Sequence, residues 1–460
     1  MNHKPMQHFW LKSVVPIAAM FSFRMLGLFM LIPVFTVYAI HLEKATPTLI
    51  GLALGSYGLS QGVLQIPFGI LSDRFGRKPI IAIGLLLFFS GSLLGAFTHT
   101  IYGMIIARTL QGTGAIGSVL IALLADLTPD SQRTKAMAVI GTSIGLSFTL
   151  AMVISPTIAH HYGLSGIFYF TAILAILGLL LLYFVVPTPV KEPFQVDSKT
   201  RSKLFKTAIA NHHLQRLNLG IFCQHFILTS TFFVIPMLLQ QQIRAGNLSF
   251  QWRFYLPLML LSFLAMVPFI ILAERKARIK LMFLTSIAIT SICQLLLAFT
   301  HQSWIGICAN TFAYFVVFNI LEASLPSQIS KQANTEAKGT AMGIYSSCQF
   351  LGIFAGGASA GLLFQFANSR GIFILNAGIG LLWFIIAIKM NPDAYQTTIT
   401  INYTMPLSET RLKLLHRLPG VKHIAIPEGK GMIYLRIDKA RYQVGSAEQL
   451  LCSDQLLIKK

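Results

Sequence analysis

Residues 67–77 read PFGILSDRFGR, and a similar stretch, PFIILAERKAR, follows 201 positions later at residues 268–278. The Pro, Phe, Ile, Leu and two Arg residues match, and an acidic residue occupies the seventh position of both. A second similarity joins AMAV at 136–139 to AMGI at 341–344, 205 positions apart. Two offsets that nearly agree predict a chain built from two related halves.

The composition indicates an integral membrane protein. Of the 460 residues, 54% are hydrophobic and 11% are charged, whereas about a quarter of the residues in a soluble domain are charged. This excludes a soluble enzyme. Twelve stretches approach or exceed the roughly 18 apolar residues that cross a hydrocarbon core. These predicted spans lie near 14–40, 49–72, 79–98, 101–124, 136–159, 164–186, 214–240, 254–273, 281–299, 303–325, 340–362 and 371–389.

The net charge of +21 is distributed unevenly along the chain. Nineteen Lys and Arg residues lie in the N-terminal segment and the even-numbered connections, against four in the odd-numbered ones: Lys44, Arg244, Arg253 and Arg370. Basic residues concentrate on the cytoplasmic side of membrane proteins, so both termini are predicted to be cytoplasmic. A nucleic-acid partner is not expected, because such a site gathers its charge on one soluble face.

The predicted domains follow from the spans and the polar segments between them. Residues 1–186 form an N-terminal half of six helices, 187–213 a cytoplasmic loop, and 214–390 a second six-helix half. Residues 391–460 turn soluble in composition and fit a β-α-β-β-α-β order, typical of a small α+β ferredoxin-like domain. The overall class is therefore an all-α membrane protein of twelve helices with this small domain appended.

The loop after the second span carries a specific motif, GILSDRFGRK. Six residues in it match, in type and spacing, the loop 2-3 signature of the major facilitator superfamily, which the chain resembles. They are Gly69, Asp73, Arg74, Gly76, Arg77 and Lys78. The alternative is a solvated positive-inside loop without a special role.

The residue types of this signature suggest a conformational gate. Gly69 would permit close helix approach, Asp73 could face the positive N-terminal end of a helix, and Arg77 could pair with a carboxylate. The resemblance implies the partners: the helix that begins near Thr340 for Asp73, and Asp126 for Arg77. Together these contacts would latch the two halves in an outward-open state.

The fourth span contains RTLQGTGAIG, similar to a second motif of the superfamily. An arginine at membrane depth costs several kcal/mol, so Arg108 should face a polar cavity or a partner. The resemblance implies a role in proton coupling, and Gln111, Gly112 and Gly114 complete the motif. A structural arginine, hydrogen-bonded to carbonyl groups between helices, is the alternative.

The fifth span departs from the pattern of antiporters in the superfamily. It reads ISPTIA, with Pro156 but no pair of glycines after it, although Gly145 lies upstream. These two residues are predicted to belong to a helix-packing motif, and Pro156 could equally be a simple helix kink.

Three further ionisable residues lie within the spans: Arg24, His225 and Glu322. A carboxyl group removed from water holds its proton more readily, and histidine titrates near neutrality. All three are candidates for proton coupling together with Arg108. Glu322 could instead lie near the cytoplasmic end of its helix and pair with a Lys or Arg.

The resemblance covers the whole chain and is strongest to a drug:proton antiporter-like branch with a cytoplasmic ferredoxin-like domain after the last helix. It implies a multi-pass transporter of a bacterial inner membrane, acting as a monomeric transport unit on small amphiphilic compounds and protons within the lipid bilayer. A transporter of a natural metabolite, such as a sugar or amino acid derivative, is the nearest alternative, and a membrane-anchored sensor or scaffold a more distant one.

No nucleotide-binding loop, nucleophile motif or metal-ligand spacing occurs in the sequence. We therefore expect a protein that is not an enzyme, holds no cofactor or metal, and takes its energy from a proton gradient. The soluble tail could regulate, stabilise or self-associate, and the sequence does not rank these roles.

Overall fold

The computed structural model describes residues 10–188, 205–275, 278–333, 338–389, 396–402, 409–426, 432–438 and 442–452. After a short π-helix, Trp10–Val14, come the helices of the membrane region. They are α1 (Val15–Phe29), α2 (Phe35–Ala39), α3 (Pro47–Phe75), α4 (Arg77–Phe97), α5 (Ile101–Thr113), α6 (Gly117–Leu127), α7 (Asp130–Phe184), α8 (His212–Arg244), α9 (Trp252–Arg275), α10 (Ile279–Thr300), α11 (Trp304–Gln332) and α12 (Lys338–Ile388).

The predicted helical membrane architecture is confirmed. Within the described ranges, nine helices or joined helix segments are long and apolar enough to cross a membrane. Helical residues also lie in every one of the twelve predicted spans. The count of twelve membrane crossings stays a prediction.

The two longest helices, α7 and α12, are each broken at one residue. Gly163 (φ 65°, ψ −163°) interrupts α7, and Asn368 (φ 52°, ψ −160°) interrupts α12. Glycine adopts a positive φ without steric cost, and Asn tolerates it better than most residues. The two breaks are 205 positions apart, the offset that separates AMAV from AMGI. The internal repeat is therefore visible in the backbone.

Two spans predicted to be continuous are interrupted. In the first, α1 ends at Phe29 and α2 begins at Phe35. In the fourth, α5 ends at Thr113 and α6 begins at Gly117, with hydrogen bonds two residues apart across residues 113–116. The glycines of RTLQGTGAIG allow this second break, because glycine weakens a helix interior.

The two halves meet where α3 packs against α12. Gly51, Gly55, Gly58 and Gly62 lie on one face of α3 and touch backbone atoms of α12. A methyl group added to Gly51 would lie 2.3 Å from the carbonyl oxygen of Gly357. Such backbone contact between helices needs residues without a side chain.

The halves are packed together at one end of the bundle and separate at the other. We call the end that carries GILSDRFGRK the signature end, and the end that carries Pro47 the opposite end. One hydrophobic cluster joins both halves at the opposite end, where Thr48 donates a hydrogen bond to Gln365. At the signature end each half has a cluster built almost entirely from its own residues.

Basic side chains tie the last helix of each half to the rest of that half. Lys78, at the start of α4, donates to the carbonyl oxygen of Val186 at 2.6 Å. Arg216, near the start of α8, donates to the carbonyl oxygen of Lys389. A cation near the C-terminal end of a helix also interacts favourably with the helix dipole.

The described part of the tail follows the predicted order of elements: β1 (Gln396–Asn402), α13 (Glu409–Arg417), β2 (Val421–Ala425), β3 (Met432–Asp438) and α14 (Ser446–Cys452). The strands form an antiparallel sheet in the order β1-β3-β2, and alternate residues of β3 are buried. The predicted last strand lies outside the described residues, so the ferredoxin-like assignment stays a prediction.

We predict that Gly51→Ala weakens packing at the opposite end. Overpacking of this kind costs about 1 to 3 kcal/mol, because the new methyl group meets backbone rather than a movable side chain. In a cysteine-free background carrying Thr48→Cys and Gln365→Cys, a short bifunctional reagent should cross-link the two sites less efficiently when Gly51→Ala is added.

Gly343→Ala is the matched control, since a methyl group added there meets no atom within 4 Å in the described structure. Equal cross-linking in Gly51→Ala and Gly343→Ala would show that the glycine contact does not hold the halves together.

Candidate functional site

The signature loop forms a small ionic network. Arg77 donates from Nε to Oδ2 of Asp126 at 2.9 Å and from Nη1 to Oγ of Ser72 at 2.7 Å, and it forms an ion pair with Asp73. Gly76 ends α3 with φ +96°, which turns the chain so that Arg77 begins α4. The pairing of Arg77 with Asp126 is the one that the resemblance implies.

This network lies within one half of the protein. Arg77 and Asp126 both belong to the N-terminal half, so their pair braces that half and cannot by itself latch the two halves together. The expected position of Asp73 at the N-terminal end of α12 stays a prediction. Arg74 is exposed and lies over the ring of Phe75, 5.4 Å from its centre.

Gly69 does not have the close helix contact that was predicted for it. A methyl group added to Gly69 would lie 3.7 Å from Oγ of Ser118, an ordinary van der Waals contact. The close helix approach lies in the first half of α3, at Gly51, Gly55 and Gly58.

The motif of the fourth span forms a buried polar chain. Arg108 is 1% exposed, donates to Oε1 of Gln111 at 2.8 Å, and lies 4.8 Å from the ring centre of Tyr57. Gln111 in turn donates to Ser92 at 2.8 Å. Arg108 is thus held between the side-chain amide oxygen of Gln111 and the ring of Tyr57.

Two glycines of the same motif bring helices together. A methyl group added to Gly112 would lie 2.1 Å from Oγ of Ser60, and one added to Gly114 would lie 2.3 Å from the carbonyl oxygen of Gly84. Gly112 and Gly114 of the motif therefore lie at close helix contacts.

Gly145 does not have the packing role predicted for it. A methyl group added there would meet no atom of the described structure within 4 Å. Pro156 is buried inside α7, and the one residue with non-helical angles in that helix is Gly163, so the break lies there instead. The neighbouring Ser155 donates to the carbonyl oxygen of Met30 at the end of α1.

The C-terminal half holds a polar cluster around Glu322. Gln224 donates to Oε2 of Glu322 at 2.9 Å, and Nε2 of His225 lies 4.0 Å from the same oxygen. The same nitrogen of His225 lies 2.8 Å from the side-chain amide of Gln349. Two of the predicted coupling residues, Glu322 and His225, are thus brought together by α8, α11 and α12.

Glu322 faces the space between the halves. Phe318, one helical turn before it, contacts Phe148 of the N-terminal half with ring centres 6.4 Å apart, and residues four apart share a helix face. The side chain of Glu322 is 36% exposed. It lies ten positions before Gln332, or about 15 Å from the end of α11, and its partners are an amide and an imidazole. These contacts do not support the alternative in which Glu322 pairs with a Lys or Arg at the helix end.

Arg24 lies in the other half, away from this cluster. Its side chain is 2% exposed and none of its three nitrogen atoms has a hydrogen-bond partner in the described structure. A methyl group added to Gly117 would lie 3.2 Å from its Nη1. The candidates for proton coupling therefore divide into a cationic pair, Arg24 and Arg108, and an acid-histidine pair, Glu322 and His225.

Sequence reasoning undervalued three residues of these clusters. Gln224, Gln349 and Tyr57 are not among the site residues predicted from the sequence. The need of a buried arginine for a partner was the available signal for Tyr57, since aromatic faces attract guanidinium groups.

The family follows from comparison with known proteins. The family model described as Major Facilitator Superfamily matches residues 17–246 and again residues 217–402. The chain belongs to the major facilitator superfamily. It is 39% identical over 426 residues to the inner membrane transport protein YajR of Escherichia coli strain K12, which covers 92% of this chain and 93% of that protein.

Two further comparisons extend the relationship. The quinolone resistance protein NorA of Staphylococcus aureus strain MSSA476 is 26% identical over 359 residues, 74% of this chain and 87% of that protein. The crystal structure of a D-xylose-proton symporter covers 82% of this chain and 97% of its own, with a TM-score of 0.66 and 17% identity. This major facilitator superfamily chain is therefore a membrane transporter, and transporters of this superfamily bind small molecules within the membrane.

We predict that Arg77→Gln lowers the melting temperature of the purified transporter more than Asp126→Asn does, because Arg77 also contacts Ser72 and Asp73. The double variant should lose no more than Arg77→Gln alone. Solvent screens a pair whose side chains are 19% and 40% exposed, so the coupling energy should be at most about 1 kcal/mol. A double-mutant cycle followed by thermal unfolding measures it.

Arg74→Gln removes the same charge from an exposed neighbour and should leave the melting temperature unchanged. If its effect equals that of Arg77→Gln, general charge reduction rather than the Arg77 network is responsible.

Proposed function

We propose that this protein is a proton-coupled exporter of small amphiphilic compounds, working by alternating access of its two halves. In this proposal it lies in the inner membrane of a bacterium with both termini in the cytoplasm, and the proton gradient is its energy source without any cofactor. The transport unit is a monomer, whose tail is a candidate for self-association.

The position of Glu322 is the observation that carries the proposal. Among the described residues of the spans, Glu322 is the acidic side chain that faces the space between the halves, and it is partly exposed there. An ionised carboxylate resists enclosure in a low-dielectric interior, whereas a protonated one does not. Protonation of Glu322 would therefore permit the halves to close over it.

His225 offers a second proton position beside Glu322. Its Nε2 lies 4.0 Å from the carboxylate, and Nδ1 lies 3.3 Å from the carbonyl oxygen of Ile221. A proton on the imidazole would pair with the carboxylate, while a proton on the carboxylate would free the imidazole to bind Gln349. The pair is thus suited to hold one proton in either of two places.

The conformation supports alternating access. With the signature end in the cytoplasm, the separated ends of the halves face inward and the glycine contact of α3 and α12 closes the outer side. The Arg77 network would then stiffen the N-terminal half, and Asp73 would reach α12 in the opposite, outward-open state.

Two cargo classes have support. NorA is named for quinolone resistance, which favours an amphiphilic drug-like cargo. A natural metabolite is the second class, favoured by a cavity that offers one partly open carboxylate among the described residues and so gives little attraction to organic cations.

The test is substrate-induced proton flux into proteoliposomes that contain a pH-sensitive dye. We predict that Glu322→Gln reduces this flux to the background of empty vesicles, because an amide of similar shape cannot carry a proton. Exchange of labelled substrate between the two sides should persist, since exchange does not require net proton movement. The panel should include quinolones, lipophilic cations, sugars and amino acid derivatives.

Glu43→Gln is the matched control, because it makes the same chemical change in an exposed loop at the opposite end. Proton coupling should be retained in this variant. Substrate equilibration without proton flux in the unaltered protein would contradict the proposal and identify a facilitator.

A further inference from the structure

The break between α5 and α6 places a helix N-terminus in the middle of the membrane region. The span runs over residues 101–127, and α6 begins at Gly117, near its centre. The first amides of a helix have no acceptor within that helix, and they carry partial positive charge. No side chain caps this N-terminus.

Arg24 and Gln65 converge on this N-terminus. A methyl group added to Gly117 would lie 3.2 Å from Nη1 of Arg24 and 3.4 Å from Nε2 of Gln65. Arg24 donates no hydrogen bond within the described structure, and Oε1 of Gln65 accepts none. A guanidinium group, an amide and free helix amides thus meet at one point.

The neighbouring side chains add donors rather than acids. Both polar atoms of the Gln61 amide and the hydroxyl of Tyr57 lack partners in the described structure, and Tyr57 also borders Arg108. In the described part of the chain neither Arg24 nor Arg108 forms an ion pair with a carboxylate. The region is therefore cationic and rich in unused hydrogen-bond donors.

A buried guanidinium group without a counter-charge is strongly unfavourable. Helix N-termini bind anions, and half-helix N-termini near the bilayer midplane receive anionic substrate groups in other transporter folds. We infer that Arg24, Gln65 and the N-terminal end of α6 bind the carboxylate of an amphiphilic organic acid carried as cargo. This inference rests on the proposed function and narrows its substrate class.

Two residues of α3 next to this site contact the other half in the present conformation. Tyr57 packs against Phe350 of α12 with ring centres 6.4 Å apart, and a methyl group added to Gly62 would lie 3.1 Å from the carbonyl oxygen of Ser347. Movement of α12 away from α3 would therefore uncover the site. Binding of an organic acid is thus linked to the movement that alternating access requires.

The experiment measures binding directly, so its result does not depend on proton coupling. The melting temperature of the purified full-length protein is recorded with increasing 2-naphthoate, and with 2-naphthamide as the neutral analogue. We expect a saturable rise of a few degrees with 2-naphthoate and none with 2-naphthamide. The rise should disappear in Arg24→Gln and persist in Arg253→Gln, which removes an arginine at the opposite end.

Three results would overturn the inference. The first is an equal rise in the unaltered protein and in Arg24→Gln. The second is no saturable rise with 2-naphthoate in a protein that still unfolds cooperatively. The third is a chloride-dependent rise, lost in Arg24→Gln, without any effect of 2-naphthoate, since this would assign the site to an inorganic anion. If Glu322→Gln loses proton flux but keeps the 2-naphthoate response, both proposals stand. Absence of substrate-induced proton flux in the unaltered protein, with a 2-naphthoate response that Arg24→Gln removes, would overturn proton coupling alone, whereas proton flux without such a response would overturn the organic-acid site alone.

Discussion

Two helix backbones from different halves lie in direct contact. Along Gly51, Gly55 and Gly58, α3 lies so near α12 that no side chain fits between them. In a membrane, helices gain little from hiding apolar surface, so this dispersion contact at short range is what joins the halves. Each of these two helices also contributes to a polar cluster: Gln65 of α3 lies beside Gly117 with Arg24, and Gln349 of α12 contacts His225 beside Glu322.

Much of this architecture could be predicted from the sequence, because the membrane imposes simple rules. Apolar length located the helices, the repeated PFGILSDRFGR pattern showed the two halves, and the pairing of Arg77 with Asp126 followed from the resemblance. The breaks at Gly163 and Asn368 fall between predicted spans, but the breaks inside the first and fourth spans could not be located in the same way. Hydropathy is blind to backbone angles, so residues 30–34 and 114–116 look like the rest of their apolar windows.

The site was harder to predict than the fold, for a physical reason. Ionisable residues are easy to find in an apolar sequence, because their placement in lipid costs free energy. That cost does not reveal the partners of the four residues concerned, Arg24, Arg108, His225 and Glu322. Partners come from different helices, and their choice depends on rotation about each helix axis. Gln224 and Gln349 became part of the site only when α8 and α12 were seen to turn them toward Glu322 and His225. The packing role predicted for Gly145 was wrong for the converse reason. A small residue suggests helix contact, but Gly145 has open space beside it in the described structure.

The ties from Lys78 to Val186 and from Arg216 to Lys389 have a mechanical consequence. Each joins the end of the last helix of a half to the start of another helix in the same half, and so holds the helices of that half together. A half held together in this way would resist bending and move as one rigid body. The glycine contact lies between the two halves, so opening of the opposite end would require α3 and α12 to part along it.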